Sequence, residues 1–193
     1  MKNRVPLEAL KSLLQEQAPV RARRELGLLP GSDPPVPLRA GQIIEVLGEG
    51  RWGWCVQLFV QLFKASSSGQ AARAAWLSAD GCPLFPMALA QEGIALSSIL
   101  FLERVPVLQG LDALLPVLRS QLFEVVMIDQ ELLPRVRQDA QIRKVQLTAE
   151  DSGAAVFILS DRATRSYGVQ VRVETGSGNE VRLEKVKGGQ CGI

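Results

Sequence analysis

The sequence predicts an α/β domain: a mainly parallel sheet with helices on both faces and an antiparallel hairpin at its edge. Three observations predict it. From residue 43 to residue 159, short apolar runs alternate with helical patterns, the rhythm of a parallel sheet covered on both sides. Residues 41–55 read strand, glycine turn, helix, the layout of a phosphate-binding loop. Near the end, Val169, Val171 and Val173 alternate with Gln170, Arg172 and Glu174. A glycine-rich turn over residues 175–179 follows, and residues 181–186 alternate again. That is a hairpin with one wet face.

Composition bounds the rest. The 193 residues suffice for one sizeable core, and 47% of them are apolar, so the chain is globular. A net charge of +2 exerts no strong pull toward nucleic acid or membrane. No apolar stretch has membrane-spanning length and no signal-peptide core opens the chain, so a cytoplasmic setting is expected. Cys55, Cys82 and Cys191 lack metal-ligand spacing and are expected as free thiols. There is no histidine. That removes the commonest general base and every Ser-His or Cys-His arrangement.

The elements follow in order. Residues 5–17 place Leu7, Leu10 and Leu14 on one face among charged neighbours, a short amphipathic helix. Residues 18–37 carry Arg21, Arg23 and Arg24 and then Pro-Gly-Ser-Asp-Pro-Pro-Val-Pro, an extended linker. The division is therefore 1–38, helix and linker, and 39–193, the core domain. A helix on such a linker suits docking on a partner; folding back on its own domain is the alternative. Residues 43–47 are the first buried strand, and a helix apolar nearly all round runs from about Val56 to Lys64. Strands are predicted over 74–79, 98–102, 123–129 and 154–159, and helices over 84–92, 107–121 and 134–146.

The glycine turn carries the chemistry, or its loss. A working loop reads G-x-x-x-x-G-K-[ST]; Gly48 and Gly53 hold the glycine positions, Trp54 stands at the lysine and Cys55 at the hydroxyl. An indole brings no charge to a phosphate, and a thiol is a poor ligand for magnesium. Glu49 adds negative charge. Trp52 or Trp54 is expected to fill the space a phosphate would take. The strand ending at Asp129 has the form of the second nucleotide-site strand, whose aspartate helps hold magnesium. No catalytic residue, cofactor or metal site is expected. Arg51 or Lys64 could stand in for the lysine, with a solvated arginine as the ordinary alternative.

With these residues laid out, residues 39–186 resemble the ATPase core of the RecA recombinase superfamily. The strand pattern G-x-I-V-E-I-x-G matches residues 41–48, the aspartate strand matches 125–129, and 155–160 match the strand before the second DNA-binding loop. Asp80 falls near the place of the catalytic glutamate, and both DNA-loop regions are short. A RecA-like core with a degenerate Walker A motif is similar to the ImuA family of bacterial mutagenesis cassettes. That resemblance implies a non-enzymatic accessory role in SOS-induced translesion synthesis and DNA repair. It also implies contacts with the ImuB polymerase-like protein, RecA or a second copy, and weak or indirect DNA binding. The alternative is a SulA-like cell-division inhibitor that binds FtsZ. A basic strip of Arg135, Arg137, Arg143, Lys144 and Arg165 is interrupted by Glu131, Asp139, Glu150 and Asp151, the pattern of a solvated helix face.

Overall fold

The computed structural model describes residues 24–65, 73–80, 86–133, 138–163, 168–177 and 180–185. The expected N-terminal helix with Leu7, Leu10 and Leu14 lies outside them, as do Arg135, Arg137, Arg165, Cys82 and Cys191.

The described chain opens with an antiparallel ribbon, β1 (Glu25–Leu28) and β2 (Pro37–Arg39). Part of the stretch read as linker is thus folded. Leu29 and Leu38 are buried against the helix that follows. The Leu29 N–H donates to Val36 O at 2.9 Å. The Ser32 hydroxyl donates to Leu29 O at 2.8 Å and accepts the Val36 N–H at 3.0 Å. The prolines lie in a chain reversal between the two strands and not in an extended linker, and the leucines beside them seek cover. A four-residue strand with glycine in it shows no periodicity that sequence reading could use.

Then come β3 (Ile43–Leu47), α1 (Arg51–Ala65), β4 (Ala74–Leu77), α2 (Pro86–Gln91), β5 (Ile99–Leu102) and α3 (Gly110–Arg119). After these follow β6 (Val125–Asp129), α4 (Gln138–Ser152), β7 (Ala155–Ser160), β8 (Val171–Thr175) and β9 (Val181–Lys185). Seven strands form one sheet in the order β5-β4-β6-β7-β3-β8-β9. All neighbours are parallel except β8 and β9, the antiparallel hairpin. The architecture is α/β, mainly parallel, as the alternation of runs predicts.

One face is covered by α1, α2 and the ribbon: Trp54, Leu58 and Phe59 pack on Ile44, Val46, Trp76, Met127 and Phe157. The other is covered by α3 and α4, with Leu114, Leu118, Ile142 and Val145 against Ile43, Val126, Ile128 and Val156. Strands buried on both faces read as continuous apolar runs, which is why 125–128 and 155–159 were legible.

Two helix boundaries differ from the expectation. α4 runs later, Gln138–Ser152, because Ile142, Val145 and Ala149 form its buried stripe. More consequentially, α1 starts at Arg51 and not near Val56.

One central position breaks the apolar pattern. Glu45 is 0% exposed. Its carboxylate accepts from Arg172 Nε at 2.9 Å, and Arg172 Nη1 reaches Glu184 at 3.0 Å. The three residues lie in one row, Glu45 beside Arg172 and Arg172 beside Glu184. Burial alone pulls the guanidinium down; the bonds to Glu45 and Glu184 outweigh it and hold the Arg172 pKa above the ordinary value. The row joins the parallel sheet to its antiparallel edge.

Candidate functional site

Parallel strands end on the same side, so their carboxyl ends gather at one edge, where α/β proteins bind ligands. Here that edge brings together Gly48 after β3, Ser78 after β4, Asp129 at the end of β6 and Asp161 after β7, beside the first turn of α1.

The turn from β3 to α1 is short. Gly48 has φ 96°, and a Cβ there would lie 1.9 Å from Thr175 O. A Cβ on Gly50 would lie 2.6 Å from Gly176 O. The Thr175 hydroxyl donates to Leu47 O at 2.6 Å. Glycine is demanded here because the end of β8 crosses the turn. Helical bonding begins at once, with the Trp54 N–H donating to Gly50 O at 3.0 Å. The expected loop from Gly48 to Gly53 is therefore not a loop: its second half is the first turn of α1. Gly53 is exposed and a Cβ on it meets nothing within 4 Å. Gly53→Ala is expected to stabilise the fold by about 1 kcal/mol, the helix-propensity difference. Thermal melting checks it, with a rise of roughly 2–4 °C.

Trp54 and Cys55 are buried in the packed face of α1. Trp54 is 3% exposed, its Nε1–H donates to Pro30 O at 2.9 Å, and its ring centre is 6.0 Å from that of Phe157. Cys55 is fully buried. Trp54 thereby pins the ribbon to α1. Trp52, half-buried, leans on Trp76 at 5.8 Å between ring centres.

A cation at this edge is Arg51. Its Nη1–H donates to Gly48 O at 3.1 Å and its Nη2 pairs with Asp161 at 2.6 Å. The guanidinium sits 4.9 Å from the Trp52 ring centre. Three protein groups thus hold the side chain that could have met a phosphate. With Asp161 mostly exposed, the ion pair adds less than about 1 kcal/mol to stability.

Asp129, half-buried, is an acid of this edge. Its Oδ2 accepts from the Ser78 hydroxyl at 2.7 Å and the Ala79 N–H at 3.2 Å. Its Oδ1 is buried and has no hydrogen-bond partner among the described residues. Burial pushes the carboxyl above its ordinary value; the Ser78 and Ala79 bonds pull it down, Glu131 pushes it up and Arg51 pulls it down. The sign follows. The folded state binds this proton more tightly than the unfolded state. Its contribution is full below pH 3.8 and is lost as pH rises through the folded value. Asp129→Asn cannot ionise. It is expected to gain stability relative to the parent between the ordinary carboxylate range and neutrality, with the gap closing below pH 3.8. Urea melts across that range check it; a pH-independent gap would contradict the assignment.

Asp80 and Glu49 are exposed; Asp80 lies beyond the end of β4, and Ser78 takes the place beside Asp129. Sequence reading missed Ser78, Asp161 and Thr175. Ser78 was detectable as the residue two after Trp76 on the same strand face; the other two are set by tertiary approach alone. Among the described residues no cluster of three or more metal-ligating side chains forms, and no helix is long and apolar enough to cross a membrane.

A nucleotide triphosphate with its magnesium does not fit these residues. The positions of the lysine and the hydroxyl are buried in α1, and Arg51 is held by Asp161 and Gly48 O. No protein-family model matches the chain, and no curated protein matches it. Fold and site define an α/β domain with a strand–turn–helix at the ligand edge and the loop's side chains turned inward.

Proposed function

We propose that this domain is a RecA-like core that acts by binding other proteins and does not turn over nucleotide. The particular assignment we propose is an accessory protein of damage-induced translesion synthesis, of the ImuA kind. The observation that carries the first part is the early start of α1, which buries Trp54 and Cys55 where a nucleotide site needs a cation and a hydroxyl. Transition-state charge on a phosphoryl group requires both a cation and a metal held in place. The second part rests on the sequence resemblance over residues 39–186. It is supported by the way the positions that resemblance marks, Gly48, Asp80 and Asp129, follow strands ending at one edge of the sheet.

Two measurements test the reading. Titration with magnesium-ATP at millimolar concentration is expected to give neither binding nor turnover; turnover abolished by Asp129→Asn would overturn the non-enzymatic part. Purified ImuB and RecA are expected to be retained on the immobilised full chain. Retention of FtsZ in place of both would overturn the assignment to translesion synthesis and leave the non-enzymatic part standing.

A further inference from the structure

The β5 edge of the sheet is poorly protected. β5 is Ile-Leu-Phe-Leu, without a charge or proline inside it, the devices that ordinarily blunt an edge. Leu102 O accepts from the Ser78 N–H, so Leu102 and, by alternation, Leu100 turn their backbone groups toward β4. Ile99, Phe101 and Glu103 turn theirs outward. The Ile99 N–H is taken by Leu96 O. Among the described residues, the Phe101 N–H and C=O, the Ile99 C=O and the Glu103 N–H have no partner. Leu100, on the α3 face, is 37% exposed.

We infer that β5 pairs antiparallel with β5 of a second copy, about a two-fold axis at Phe101. The order of donors and acceptors fits an antiparallel strand, and β5 of a second copy supplies one. With Phe101 opposite Phe101 of the second copy, the two residues exchange a pair of N–H···O=C bonds. Each Glu103 N–H then meets the Ile99 C=O of the other copy. The Phe101 N–H and C=O, the Ile99 C=O and the Glu103 N–H receive their complement, while the Glu103 C=O at the end of the ladder does not, since the Ile99 N–H it faces is held by Leu96 O. The side chains agree. Leu100 falls opposite Leu102 of the second copy in a non-hydrogen-bonded pair, the closer spacing of an antiparallel ladder. A shift that set Glu103 opposite Glu103 would place like charges face to face. An isologous contact of this kind closes on itself and joins the two seven-stranded sheets into one.

The test uses the full chain in sedimentation velocity from micromolar to submillimolar concentration. A monomer–dimer equilibrium is expected. Leu100→Lys sets an ammonium against Leu102 of the second copy and is expected to weaken the dimer by at least about tenfold, about 1.4 kcal/mol, with the circular dichroism spectrum retained. A second measurement does not depend on that variant folding. Leu100→Cys and Leu102→Cys proteins, mixed under mild oxidation, are expected to crosslink to each other. Neither is expected to crosslink alone beyond the parent, because like positions lie too far apart for a disulfide. A parent that stays monomeric throughout, a dimer unweakened by Leu100→Lys, or a mixture that fails to crosslink would overturn the inference. So would a chain that dimerises only after removal of residues 1–23, since the N-terminal segment would then be what covers this edge.

Discussion

Glu45→Ala is expected to lower stability by roughly 3–5 kcal/mol, the effect of removing one partner from a buried ion pair. The substitution removes the buried carboxylate from beside Arg172 and leaves the exposed Glu184 in place. It also breaks the polar row that joins β3, β8 and β9. For a chain of this size the melting temperature should fall by roughly 10 °C. The double variant Glu45→Leu with Arg172→Met should recover much of that loss, because a well-packed apolar pair avoids the desolvation cost that the ion pair carries. Thermal and urea melts of both variants check the pair of expectations. A Glu45→Ala protein as stable as the parent would mean that the row is ornamental.

Trp54→Lys is expected to be nearly as damaging and to restore nothing. Removing a buried tryptophan ring costs about 3–5 kcal/mol, and a lysine in its place would carry an ammonium into the core beneath the ribbon, where Pro30 O is the acceptor at hand. The variant recreates the letters of a phosphate loop, but the side chain at this position lies in α1's packed face, in the core cluster. Melting measures the loss, and a magnesium-ATP titration measures the absence of gain. A stable Trp54→Lys protein that bound ATP would show that α1 can unwind its first turn into a loop, and the early helix start would lose its meaning.

What the candidate site offered to sequence reading follows from this geometry. The substitutions at Trp54 and Cys55 were visible as departures from a spaced motif, and Asp129 as the end of an apolar run. Their surroundings were not. Nothing near Gly48 in the chain announces that Thr175 will cross it, because the two are brought together by the pairing of β3 with β8. Nothing near Arg51 announces Asp161, which arrives at the end of β7.

The sequence by itself determined the α/β class, the buried strands and the hairpin. These depend on side-chain periodicity, which is local and survives without any knowledge of contacts. It also determined that the phosphate motif lacks its cation and hydroxyl. Only the tertiary structure decided where α1 begins, since a glycine at position 53 permits loop or helix alike and the burial of Trp54 against Pro30 and Phe157 tips it to helix. Only the tertiary structure decided that the leucines of the ribbon fold onto the core and that Glu45 is neutralised across strands. Each of those outcomes is a balance of desolvation against a partner far away in sequence, and that partner is absent from any local window.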